Sequence, residues 1–167
     1  SYTRDHPDAP PLNSINELSQ DGGKPVWDQP AGTVAGETVS LNAIEHGHLR
    51  AKWDEPAVHA CIVCASASCP NLRPEAYTGT HVRAQMDDQV RTWMKNPTKG
   101  LLYDAKTHRL TVSRIFLWFG DDFGGWDGLQ QWLPLYLDDE DPLRKRLAAH
   151  KTVSLRFFEY SWKMNRQ

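Results

Sequence analysis

The stretch 58–70, VHACIVCASASCP, constrains this chain more than any other part of it. Within thirteen residues it gathers all three cysteines (Cys61, Cys64, Cys69), the histidine His59, two serines and Pro70. Residues 58–64 form a short apolar run between Glu55-Pro56 and a Ser/Ala stretch, which reads as a buried interior strand. Alternation along a strand puts His59, Cys61 and Val63 on one side and Ala60, Ile62 and Cys64 on the other. A His59/Cys64 pair then requires the strand to end or bulge before Cys64, whereas Cys69 can reach either face through the loop.

Cys61 reads as a small core hydrophobe. For Cys64 and Cys69 the alternatives stay open. In an exported protein they close a tight loop as a disulfide, and this is the favoured reading. Alternatively one of them is a thiolate nucleophile. Cys69 is then the better placed, because Pro70 suits the first position of a helix and a helix N-terminus favours a thiolate. The C-x2-C-x4-C spacing lacks a second ligand pair at finger-like distance, which argues against structural zinc, and no metal or other cofactor is expected.

At 167 residues and 40% hydrophobic the chain is long enough to bury the core of one domain. A net charge of -2 gives no polyelectrolyte signal, so nucleic acid is not an expected partner. No run of about 18 apolar residues is present to span a bilayer. The sequence opens on Ser1 rather than Met, which suggests a processed or truncated terminus, and the expected location is periplasmic or extracellular. Seven tryptophans either fill the core or cover a partner surface.

Residues 1–13 are polar and proline-rich and read as an extended arm, followed by a single α+β domain over 14–167. Ser14 and Glu17 match a capping box for a short helix. A hairpin or loop carrying Trp27 follows between 26 and 39. Ser40 caps the helix LNAIEHGHLR, which sets Glu45, His46 and Arg50 just ahead of the cysteine stretch, where they brace it or line a site. Thr80 opens an amphipathic helix to 95 with Val82, Met86, Val90, Trp93 and Met94 inward. A hairpin pairs 101–103 with 110–112. Ser113 then starts a short helix that leads into the acidic, glycine-bearing loop 120–125 with Asp121 and Asp122. Two more helices follow, 126–137 interrupted near Pro134 and one opened by Asp141-Pro142, before a half-buried strand from Val153. The fold expected is α+β, a small and mostly antiparallel sheet covered by helices. The His59 strand sits inside it, between the strands of Leu110 and Val153.

Several blocks together resemble the family catalogued as Domain of Unknown Function 547. They are Ser14-Ile15, the run LNAIEHGHLR at 41–50, Val58-His59 with CASASCP at 64–70, Tyr77, VSRIFLWFGDDF at 112–123 and YSWKMN at 160–165. Order and spacing carry the resemblance rather than any one motif. Members of that family usually have an upstream helix with a Trp-x-Asn-x-Tyr-Asn pattern. That pattern is absent here, which implies that the chain begins inside the domain. At Cys61 the family prefers a small non-thiol residue, in keeping with a packing role. The order of elements is loosely similar to transglutaminase-like and papain-like thiol folds, an analogy of fold alone.

Two functions compete. The favoured one is a non-catalytic exported domain that binds a protein or glycan, or a subunit of a larger assembly. Cys64 and Cys69 are then disulfide-bonded and Trp118, Phe119, Phe123 and Trp126 pack a surface loop. The alternative is a Cys/His-dependent hydrolase or acyltransferase acting on an amide or ester. Cys69 or Cys64 attacks, His59 is the general base, and Asp122 or Asp121 orients the imidazole.

Overall fold

In the computed structural model the residues described are 8–19 and 23–166. Most of the expected arm, residues 1–7, lies outside them. Ser14 and Glu17 make the capping box of a one-turn helix, Ile15–Leu18. Next come a turn at Val26–Asp28 and an exposed antiparallel hairpin, β1 (Pro30–Val34) and β2 (Glu37–Ser40). Ala35 and Gly36 both have positive φ at its tip, the backbone that matches the twist of the paired strands. The Ser40 hydroxyl accepts the Ala43 amide at 3.0 Å and starts the next helix. Over Ala43–Arg50 that helix is wound as a π-helix, a rare geometry that is frequent at functional sites.

The main sheet has three strands. β3 (Leu101–Asp104) and β4 (Arg109–Val112) form the expected antiparallel hairpin, and β5 (Ser154–Phe157) joins β4 in parallel with Leu110 opposite Leu155. Leu110 and Val112 are fully buried beneath helices α2 (Val82–Met94), α3 (Ile115–Trp118), α4 (Gly125–Trp132) and α5 (Pro142–Ala148). Aromatic rings weld these helices together. Phe116 stacks on Trp93 at 4.9 Å and meets Phe123 edge-on at 4.9 Å, and Phe123 meets Trp132 at 5.1 Å. Among the described residues no helix is long and apolar enough to cross a membrane.

The expected His59 strand is a helix. Residues 55–57 wind a turn in which Val58, His59 and Ala60 donate to the carbonyls of Glu55, Pro56 and Ala57, and this turn runs into α1 (Val58–Cys61). Glu55 closes it by accepting the Ala57 amide on its own side chain. Glu55-Pro56 is therefore a helix start rather than a strand boundary, an ambiguity inherent in a short apolar run. The place beside β4 goes to β5 instead. α1 packs on α2, where the buried Gln89 amide donates to Ala60 O (3.0 Å) and Asn71 O (2.7 Å) and ties the helix to the loop beyond it. α2 begins at Val82 without a side-chain cap from Thr80, and no helix follows Pro70.

The likeness to transglutaminase-like and papain-like folds is not confirmed: the histidine that it placed on a strand is helical.

Candidate active site

Asp122 lies in the one-turn helix Gly120–Phe123 and is the hub of a polar cluster drawn from three distant segments. Arg50, on the last turn of the π-helix, clamps it with two bonds, Nε to Oδ2 at 2.5 Å and Nη2 to Oδ1 at 2.8 Å. His59 of α1 meets Oδ2 through Nε2 at 2.7 Å. His46, one turn before Arg50, is 2.7 Å from Arg50 Nη1 through Nδ1. Phe119 forms the floor, stacked on the His59 ring at 4.4 Å with the Arg50 guanidinium 4.7 Å from its centroid. The turn that carries Asp122 is pressed on α4. A Cβ at Gly128 would stand 2.0 Å from Phe123 O, so only glycine admits this approach.

The charges set the protonation states. The Arg50 guanidinium, with the His59 ring beside it, pulls the Asp122 carboxyl down to about 2 against an opposing effect of burial. Burial pushes the His59 pKa down, only partly offset by the Asp122 hydrogen bond. The imidazole is therefore neutral at pH 7. Facing an ionised carboxylate, Nε2 carries the proton and donates it, which leaves Nδ1 as the lone-pair acceptor of the ring.

The second cluster is the cysteine loop. Cys64 Sγ lies 3.3 Å from Ser66 Oγ and 3.1 Å from Tyr160 OH, and Ser66 Oγ donates to Tyr160 OH at 2.8 Å. The Cys64 amide donates to Cys69 Sγ at 3.2 Å. Ala65, directly after Cys64, is held at φ 58, a strained backbone for a residue with a Cβ. The segment after β5 holds it there. Ala67 N donates to Lys163 O (2.7 Å), Asn165 N to Ala65 O (2.8 Å), and Ser161 N to Ser68 Oγ (2.9 Å).

All three cysteines are free, so the expected Cys64–Cys69 disulfide is not formed. Backbone bonds to 161–165 close the loop in its place, and the two thiols are hydrogen-bonding neighbours of unlike character. Hydrogen-bonding contacts with Cys69, Ser66 and Tyr160, the Cys69 contact foremost, outweigh burial and pull the Cys64 pKa well below the thiol range. The bond to Cys64, then burial, pushes that of Cys69 up, so Cys69 stays a thiol. The helix-dipole argument for Cys69 fails because no helix starts at Pro70. Cys61 is also held as a thiol by burial and donates to Ala57 O at 3.3 Å.

His59, Cys64 and Cys69 all line one cavity of about 500 Å³, with Glu45 and His46 also on its wall. No direct hydrogen bond joins His59 to either thiol among the described residues, and none of these holds a group of three or more His, Cys, Asp or Glu side chains fit for a metal. Asp121 is exposed and takes no part. Phe123 is core, 4% exposed, and reaches the site only by edging His59 at 5.6 Å. Trp118 stands at the cavity wall, 45% exposed, against Tyr160 at 4.5 Å and Trp162 at 6.1 Å. Trp126 is half-buried on the core. Sequence reasoning missed Ser66 and Tyr160 as partners of Cys64. The one signal for Tyr160 was its place in the block 160–165, some ninety residues from the thiol it serves.

No curated protein and no solved structure matches this chain. A family model does, over residues 13–94, and this span carries His46, Arg50, His59 and the three cysteines, while Asp122 and Tyr160 lie beyond it. The family that this half of the chain resembles is the one described as Protein of unknown function, DUF547.

Proposed function

We propose that this chain is a thiol-dependent acyl-transfer enzyme, a hydrolase or acyltransferase acting on an ester or amide, with Cys64 as its nucleophile. One observation carries the reading: a thiol whose neighbours favour the thiolate and a neutral imidazole held on a carboxylate open onto the same cavity. In the first step the Cys64 thiolate attacks the carbonyl carbon. The bond to the leaving group breaks, and that group takes its proton from solvent. In the second step a water gives its proton to His59 Nδ1 while its oxygen attacks the thioester and expels the thiolate. Asp122 stabilises the imidazolium formed, and Arg50 keeps Asp122 ionised and in place.

The test is a burst assay with a p-nitrophenyl ester, acid quench and peptide mass spectrometry. The expected result is one equivalent of p-nitrophenolate released in a burst, with the acyl group on Cys64. His59→Gln is expected to leave the burst and slow its turnover at least 100-fold, in line with general-base contributions of about 10²–10⁴. A burst that survives in Cys64→Ser, or no burst at all, refutes the proposal.

The exposed Trp118 and Trp162 beside the cavity favour a second reading, an exported binding module or a subunit of a larger assembly in which a partner side chain fills the same cavity. That reading gains if the ester assay is silent.

A further inference from the structure

We infer that the acyl group received beside Cys64 is apolar and uncharged, an aromatic or branched aliphatic acyl chain, and that Glu45 turns anionic substrates away. The inference rests on the acyl-transfer reading of the site and names its substrate class. The cavity of about 500 Å³ is of a size that takes small molecules, and its walls are Ile44, Ile62, Val63, Trp118, Phe119 and Trp162 around the thiol. Such walls offer shape and apolar contact and few hydrogen bonds, so a polar acyl group entering them would lose water without replacement.

Charge selects as well. Among the described residues no lysine or arginine lines the cavity. The Arg50 guanidinium is engaged by Asp122 through Nε and Nη2 and by His46 through Nη1, and it is covered by Phe119, so it has no free donor fork to offer a carboxylate or phosphate. Apart from the histidines, the thiols and Tyr160, Glu45 is the one ionisable side chain among the described residues of the wall. It forms no ion pair with any described residue, and its carboxylate is close enough to act on both His59 and Arg50. In an apolar cavity this negative charge, not tied up in an ion pair with a described residue, repels a second anion more strongly than it would in water.

The test uses three alkylating reagents on the intact chain at pH 7: iodoacetamide, iodoacetate and N-benzyliodoacetamide. Each puts its CH2 carbon on the Cys64 sulfur and expels iodide. Rates are read by mass spectrometry and normalised to those of 2-mercaptoethanol. N-Benzyliodoacetamide is expected to saturate and to react at least tenfold faster than iodoacetamide, and iodoacetate at least fivefold slower. Glu45→Gln is expected to raise the iodoacetate rate relative to iodoacetamide severalfold. Trp162→Ala is expected to cut the benzyl advantage. Equal normalised rates for the three reagents overturn the substrate class while Cys64 labelling still supports the nucleophile. If Cys64 reacts with iodoacetamide no faster than the solution thiol, the acyl-transfer reading falls and this inference with it.

Discussion

Tyr160→Phe removes one hydroxyl from the Cys64 sulfur and changes little else in volume. A hydrogen bond to a charged group contributes about 1.5–3 kcal/mol when well made. The Tyr160 contact is 3.1 Å and favours the thiolate together with the Cys69 contact and the Ser66 amide. Ser66 now donates to Tyr160, and in the variant it is free to turn toward Cys64 and recover part of the loss. The net effect is about 1 kcal/mol, equivalent to a rise of about 0.7 in the Cys64 pKa. Because the donors depress that pKa, losing one reduces the thiolate fraction only where the thiol is not already fully ionised. The rate of alkylation by iodoacetamide should therefore fall about fivefold on the acid side of the profile and converge with wild type at pH 9.5. Thiolate absorbance at 240 nm, followed over the same range, gives the same midpoint without a reagent. Superimposable profiles, or an equal loss at every pH, would refute the claim that Tyr160 acts through the ionisation of Cys64.

Asp122→Asn keeps the shape of the hub and deletes its charge. Lowering an ordinary carboxyl from 3.8 to about 2 corresponds to roughly 2 kcal/mol for this mostly covered side chain, so the variant should lose about that much in urea denaturation at pH 7. His59 has its pKa depressed by burial, so the folded state binds its proton less readily than the unfolded one. Stability should fall as pH drops below 6.5, and His59→Asn should flatten the slope of ΔG against pH just below that value. Gly128→Ala places a methyl on the Phe123 carbonyl; it should cost about 3 kcal/mol or more in the same assay and loosen Arg50 from Asp122.

The sequence made some of this legible because the signals were local. Ser14/Glu17 and Ser40 cap the turns they were expected to cap, Asp141-Pro142 starts α5 with its carboxylate on the Leu143 amide, and the 101–112 hairpin and the buried face of α2 from Met86 on follow from periodicity, whereas Val82, expected inward, is exposed at the first turn. The pairing of β4 with β5 was half legible, since both strands were recognised but their common neighbour was misassigned. That error came from Val58–Cys61, where four residues are too few for a helical period to show and the β-branched Val58, with Ile62 and Val63 just beyond, imitates a strand. It carried over to the site, because strand alternation set His59 and Cys64 on opposite faces, a constraint that vanishes once α1 is a helix. Asp122 was identified by its residue type and its glycine-bearing loop. Its clamp by Arg50, 72 positions away, had no local trace. The disulfide expectation weighed cysteine spacing and an exported setting and missed that backbone bonds from 161–165 could close the same loop.

Those bonds make the thiol's reactivity a property of a finished chain. Cys64 and Tyr160 are 96 positions apart, so during vectorial synthesis the cysteine loop leaves the ribosome long before the partners that shape it. At that stage Ala65 has no strand to hold it at positive φ, and Cys64 has the acidity of an ordinary thiol, largely protonated at neutral pH. Only when 161–165 dock against 65–68 do the hydroxyls of Ser66 and Tyr160 converge on the sulfur. A nascent or unravelled molecule thus carries an ordinary cysteine, and the acidity of its thiol appears in the same event that orders the loop.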